Sequence, residues 1–193
     1  MIDLKKIRKK LKKDLDKDRY EHTKGVMYTA GSLAMAHNAS IEKAMLAGLL
    51  HDCAKCLPTE EKLRLCKKHH ILVSQIEKEN PGLLHAKAGM ALAEDKYQIH
   101  NPEILHAIKV HTTGEPAMNT LDMILFIADY IEPRRDKAAN LTEIREMAFH
   151  SLEQTVERIL HDTLHYLNEK SGRIDPATEI TYEYYKNRRD EKQ

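Results

Sequence analysis

Three cysteines, Cys53, Cys56 and Cys66, are all that this chain of 193 residues contains. A small, odd number excludes a secreted scaffold built on disulfides. Long apolar runs are also missing. The longest, residues 44 to 50, is far shorter than the about 20 residues a membrane-spanning helix requires. Residues 1 to 19 are charged almost throughout, unlike a signal peptide. The net charge of +1 gives no ground for general nucleic-acid binding, yet leaves room for a local basic pocket that takes an anionic small molecule. Alternating β-branched runs are absent as well, so there is almost no strand signal. The expectation is a cytoplasmic, all-α protein with no membrane and no nucleic-acid partner.

What the chain does hold is helical periodicity. Hydrophobic residues at 41% supply a sizeable core and charged residues at 32% a solvated surface. This suits one domain spanning 1–193, with a core over about 18–135 and helical extensions at both ends. Leu4, Ile7, Leu11 and Leu15 recur three or four apart among lysines and aspartates, predicting an amphipathic helix docked by one stripe. The basic residues between 5 and 13 read as its solvated face. Further helices are predicted over His22–Ala36, from the N-cap Ser40 to about Ala54, and from Pro58 through His69 or His70. Pro81-Gly82 precedes one that carries His85, Asn101-Pro102 opens one that approaches His111, and another covers Met118–Tyr130 until Pro133. One long amphipathic segment is expected from Lys137 to Asn168 with Ser171-Gly172 as its stop, then a short charged helix after Pro176.

His51 and Asp52 stand side by side at the end of the longest apolar run. An imidazole and an anionic carboxylate set against an apolar core are costly unless they find partners. His22, His85, His111 and Asp129 are available elsewhere, and Asp129 itself follows the apolar run Met123–Ala128. Imidazole with carboxylate suits a divalent transition metal such as iron, manganese or zinc. Six such groups exceed one closed structural site, and Asp52 is able to bridge two ions. The reading is a catalytic metal centre. Adjacent residues on a regular helix point about 100° apart, so the helix has to end or distort at His51 for both to serve one ion. Lys55 then projects about one turn onward. The other eight histidines, His37, His69, His70, His100, His106, His150, His161 and His165, get no ligand role. His106 reads as a core or surface residue, and the i,i+4 pair His161 and His165 as a solvated face. Cys53 and Cys56 have no βαβ context and no second cysteine pair, so both read as small helix-packing residues.

Five segments occur in order: Arg19-Tyr20-Glu21-His22-Thr23, Leu49-Leu50-His51-Asp52-Cys53-Ala54-Lys55, Leu84-His85-Ala86, Val110-His111-Thr112-Thr113-Gly114, and Phe126-Ile127-Ala128-Asp129-Tyr130-Ile131-Glu132-Pro133-Arg134. Together they resemble the HD-domain phosphohydrolases, named for the adjacent His-Asp pair. Within these the chain is similar to the YqeK family of symmetrical diadenosine-tetraphosphate hydrolases, over roughly residues 15 to 185. The His-Asp pair alone is moderately specific; the fourth and fifth segments together are much more so.

The resemblance implies an HD-domain helical bundle that binds a nucleotide substrate and splits diadenosine tetraphosphate into two ADP. It implies that His22, His51, Asp52 and Asp129 hold one metal, and that His85, His111 and a bridging Asp52 hold the second. It further implies iron as the ion, one or two of them, with manganese or another transition metal left open, and a homodimer. Asp52 and Lys55 then carry catalysis, while Lys55, Thr112, Arg134 and Arg135 face the substrate. Alternatives stay open at several positions. His85 and His111 can hold phosphate instead of a second ion, Lys55 can be a plain surface lysine, and Arg135 fits equally well as a basic residue favoured at a helix end. The competing functions are an HD phosphohydrolase acting on another nucleotide, and a non-catalytic regulator that binds metal and nucleotide.

Overall fold

The computed structural model describes residues 3–138, 140–170 and 173–191, and among these all regular structure is helical. Local side-chain caps set where most helices begin. Asp3 accepts from the amides of Lys5 and Lys6 and starts α1 (Leu4–Asp14). Asp16 accepts from the Arg19 amide, so α2 (Lys17–Ala36) begins ahead of the expected His22. Ser40 caps α3 (Ile41–Leu50), and α4 (Thr59–Lys68) follows Pro58. Ser74 and Glu77 form a reciprocal capping box that stabilises the single-turn α5 (Gln75–Glu79), a helix the periodicity did not predict. Then come α6 (Leu84–Tyr97), α7 (Pro102–Val110) capped by Asn101, and α8 (Thr120–Ile131) capped by Asn119 with Asp122.

The long segment expected from Lys137 to Asn168 is two helices, α9 (Leu141–Ala148) and α10 (Leu152–Glu169). Ser151 is extended (φ −149°, ψ 111°) and its hydroxyl caps the Gln154 amide, which ends one helix and starts the next. The expected stop at Ser171-Gly172 lies outside the described residues. The last helix, α11 (Pro176–Glu191), is not short: its 16 residues pack on α10 and bury Thr181 and Tyr185.

Every residue from Leu121 to Ala128 is buried. A helix apolar on all sides belongs inside a bundle, and α8 is surrounded by α2, α3, α7 and α10. The most extensive pairing is α2 with α3. It depends on Gly48, where a Cβ would stand 2.9 Å from the Met27 Cα and 3.1 Å from the Val26 carbonyl oxygen. Met27, Leu33, Leu46, Leu49 and Leu50 are sealed around that crossing, each contributing about 1.5–3 kcal/mol by burial. A smaller cluster of Ala54, Leu65, Cys66, Leu84, Ala88 and Ala91 ties α4 to α6. Cys53 is buried as expected, but Cys56 is exposed with its thiol 3.4 Å from an Asp16 carboxylate oxygen, so it is not a packing residue. Among the described residues no helix is long and apolar enough to cross a membrane.

Candidate metal centre

Helix α3 stops at Leu50, and the chain winds onward through i→i+3 hydrogen bonds: Cys53 to Leu50, Lys55 to Asp52, and Leu57 to Ala54. That tighter turn lets neighbouring side chains share one gap, with His51 Nε2 only 3.4 Å from Asp52 Oδ2. The other donors arrive from separate helices. His22 lies in α2, His85 in the first turn of α6, His111 caps the end of α7, and Asp129 lies in the last turn of α8. The four histidines and Asp52 are buried, and the Asp129 side chain is 24% exposed. The imidazoles form a chain of edge-on contacts, with ring centres 5.3 Å apart for His22–His51 and 5.1 Å for both His51–His111 and His85–His111.

Hydrogen bonds at the rear of each ring decide what faces the centre. Nδ1 of His51 donates to the Gly48 carbonyl at 2.8 Å, His85 to Gly82 at 2.6 Å, and His111 to Ile108 at 2.7 Å. A carbonyl only accepts, so the proton is on Nδ1 and the inward Nε2 of a neutral ring offers a lone pair. Nδ1 of His22 faces Glu132 Oε1 at 3.0 Å. As a result, acceptors confront one another. The Nε2 atoms of His85 and His111 are 3.2 Å apart, and His22 Nε2 is 2.9 Å from Asp129 Oδ1. A proton or a metal ion has to lie between such atoms.

Asp52 sits at the middle with one oxygen for each side. Oδ2 is 3.4 Å from His51 and 3.9 Å from His22, whereas Oδ1 is 3.1 Å from His85 and 4.0 Å from His111. His22 Nε2, His51 Nε2 and Asp52 Oδ1 are buried with no hydrogen-bond partner among the described residues. Orphaned polar atoms of this kind are costly, and divalent cations on the two sides of Asp52 would satisfy them. Donor atoms of His22, His51 and Asp129 lie within 4.8 Å of one another, as do those of His51, Asp52 and His111. His51 therefore borders both groups, and the donor set fits a divalent metal.

The charge balance of the site follows from the same crowding. Burial raises the Asp52 carboxyl, but His51 and His85 beside it outweigh that and hold it well below the usual carboxylate range. Asp129 is likewise lowered, with burial overcome by contact with His22 and the charges of His51 and Arg135. Burial, reinforced by His51 and His85, pushes His111 down to about 3, which keeps its imidazole neutral. Lys55 Nζ is 3.9 Å from Asp52 Oδ1 and 3.2 Å from His85 Nε2; burial lowers its pKa against the pull of Asp52. Thr112 Oγ1 is 3.4 Å from Nε2 of both His85 and His111. Arg135 binds Asp129 twice, Nη2 to Oδ1 at 2.7 Å and Nε to the backbone carbonyl at 2.9 Å. Arg134 stands apart, paired at 3.5 Å with the exposed Asp18. His106 also lies outside the cluster, between Asp122 at 3.0 Å and Glu115 at 2.8 Å.

Two contacting residues escaped the sequence reading. Arg19 Nη1 donates to Asp52 Oδ2 at 2.7 Å, and Glu132 backs His22. A signal for both was present: Arg19 stands three before His22 and Glu132 three after Asp129, a spacing that puts side chains on one helix face.

A buried His-Asp pair joined by three further histidines and a second aspartate, all held by packed helices, defines a metal-hydrolase centre of the HD type. Residues 19–134 match the HD domain, and the chain belongs to the HD-domain family. Within the family it is 34% identical to a Bacillus subtilis protein over 90% of this chain and 92% of the relative. It is 36% identical to one from Halalkalibacterium halodurans over 89% and 91%. Both relatives carry the name bis(5'-nucleosyl)-tetraphosphatase, symmetrical. A crystal structure from Clostridium acetobutylicum, described as that of a predicted HD superfamily hydrolase involved in NAD metabolism, superposes with a TM-score of 0.93. That chain is 37% identical, and the match covers 97% of this protein and 99% of the other.

Proposed function

We propose that this protein is a metal-dependent hydrolase that cleaves diadenosine tetraphosphate symmetrically, water and substrate giving two ADP. The observation that carries the metal dependence is the set of inward acceptors around Asp52, one carboxylate oxygen turned to each pair of histidines. The names of the curated relatives support the substrate and the cleavage position. His22, His51, Asp52 and Asp129 would hold one ion, and His85, His111 and the shared Asp52 a second; imidazole and carboxylate donors suit iron or manganese, and we read iron as the native ion. When bound, the metal supplies a water acidified to near neutrality and positive charge against the phosphates.

The chain's own residues supply the rest. Lys55, beside both Asp52 and His85, neutralises charge that grows on the attacked phosphoryl group. Thr112 donates its hydroxyl proton to a phosphate oxygen from the His85–His111 side. Arg135, and Arg134 further out, hold the remaining phosphates on the Asp129 side. Attack on an internal phosphorus forms one P–O bond and breaks the bond to the oxygen bridging the two central phosphates. The ADP that departs is a stable anion, so no protonated side chain is required behind it.

Product analysis tests this. Iron-reconstituted protein is given diadenosine tetraphosphate, and nucleotides are separated by anion exchange. ADP alone, lost on chelation, is the expected result. AMP with ATP overturns the symmetrical position, and absence of turnover with iron and manganese overturns the substrate.

A further inference from the structure

Glu132 is buried at 1% exposure just after α8, and no role above uses it. Its Oε1 meets His22 Nδ1 at 3.0 Å while Oε2 accepts from the Arg134 amide at 2.9 Å. The backbone there is pinned as well. Arg145 of α9 donates to the carbonyls of Ile131, Glu132 and Arg135 at 2.9, 3.2 and 2.8 Å.

His22 differs from the other three histidines in where it sits. His51 and His111 cap helix ends and His85 opens one, so each folds back on the carbonyl three residues earlier. Carbonyls of a last helical turn, or of a turn before a helix, are free to accept. His22 lies inside α2, where the preceding carbonyls already serve intrahelical bonds, so its Nδ1 needs an acceptor from outside.

Gly25, in the same helix, shows how that acceptor gets in. A Cβ at this position would collide with Glu132 Oε2 and lie 3.0 Å from its Cδ. Glycine within a helix is destabilising by about 0.5–1 kcal/mol relative to alanine, so its presence calls for such a reason.

We propose that Glu132 is a positioning residue for the metal centre, holding His22 in the Nδ1-protonated tautomer with Nε2 aimed inward, and that Gly25 is the hollow that admits it. This rests on the metal reading given above. Carboxylate partners of this kind orient a ligating imidazole and raise its basicity, and losing one typically weakens metal binding about 10–100-fold.

The test titrates metal-free full-length protein with manganese by calorimetry and records the visible spectrum of the cobalt-substituted form. Glu132→Gln, near-isosteric, and Gly25→Ala are each expected to weaken manganese binding about 10–100-fold and to shift the cobalt bands. In a His22→Ala background, Glu132→Gln should add no further loss, because the two act as one unit. An equal loss with and without His22 makes Glu132 a structural prop and overturns the proposal. Wild-type affinity in Glu132→Gln, with binding abolished in Asp52→Ala, overturns the proposal and leaves the metal centre standing. Unchanged binding in Asp52→Ala overturns the metal centre itself. Circular dichroism reports folding; if Gly25→Ala unfolds, the Glu132–His22 cycle decides alone.

Discussion

The Arg19 guanidinium donates to Asp52 Oδ2 at 2.7 Å, joining a side chain 29% exposed to a carboxylate only 3% exposed. Arg19 is thus, with the Lys55 ammonium 3.9 Å from Oδ1, a counter-charge of a buried anion bordered by imidazoles. A divalent ion among the same donors supplies that counter-charge itself. Arg19→Ala should therefore destabilise the metal-free protein by about 2 kcal/mol, less than for a wholly buried pair because the guanidinium reaches solvent. The loss should shrink when manganese is saturating. Thermal unfolding with chelator and with manganese measures both, and equal losses would count against metal at Asp52.

Asp52→Ala should abolish metal binding and reduce turnover by about 10³-fold or more, at or beyond the upper end of what loss of one preorganised electrostatic group costs. The helices should persist, since the fold is held by the apolar core around α8. Elemental analysis and far-ultraviolet circular dichroism check the two halves separately.

Lys55→Ala should leave metal content unchanged while slowing turnover by about 10²-fold. Its ammonium touches Asp52 and His85 without offering a lone pair. A variant that lost its metal would assign Lys55 to the architecture of the site rather than to charge neutralisation.

Gly48→Ala connects packing to chemistry. The added methyl meets backbone, not a flexible side chain, at the α2–α3 crossing, and overpacking of this kind costs about 1–3 kcal/mol. Moving α2 away from α3 also separates His22 from His51, so metal affinity should fall together with the unfolding midpoint. Loss of stability with unchanged affinity would show that the turn after α3 adjusts independently of the crossing.

Acid should weaken the metal-free fold. An unfolded chain protonates His111 near 6.5, whereas the folded one does so only at about 3. Between these values the unfolded state binds more protons, so stability falls as pH falls. Asp52 and Asp129, both lowered from 3.8 in the fold, add to the loss as the pH drops below that value. His51 acts in the opposite sense: with burial outweighed by Asp52 its pKa is raised, so its contribution is complete below 6.5 and lost only as pH rises through the folded value. The unfolding midpoint should thus decline from pH 6.5 to about 4, and a flat profile would contradict a buried neutral His111.

Helix starts at Ser40, Asn101 and the proline before α4 were readable along the chain because a cap acts within three residues of its own position. The break at Ser151 carried the same kind of signal but was overridden by an amphipathic pattern that continues on both sides. Cys56 looked like its neighbour Cys53, yet the turn after α3 directs one inward and the other to solvent. The ligand types were legible because histidines and aspartates beside apolar runs demand partners wherever they occur.

What no local pattern could supply is which of those groups meet, and from which side. His22 and Asp129 are brought to 2.9 Å by the packing of α2 on α8, and Arg19 reaches Asp52 across the end of α3. The chain alone dictated an all-helical body and the chemistry of its donors, since propensity, periodicity and capping act over a few residues. The division of Asp52 between two histidine pairs, the partners Arg19 and Glu132, and the need for Gly25 and Gly48 arise from helices distant in sequence. Those contacts exist only once the apolar core has closed around α8 and fixed the distances between backbones.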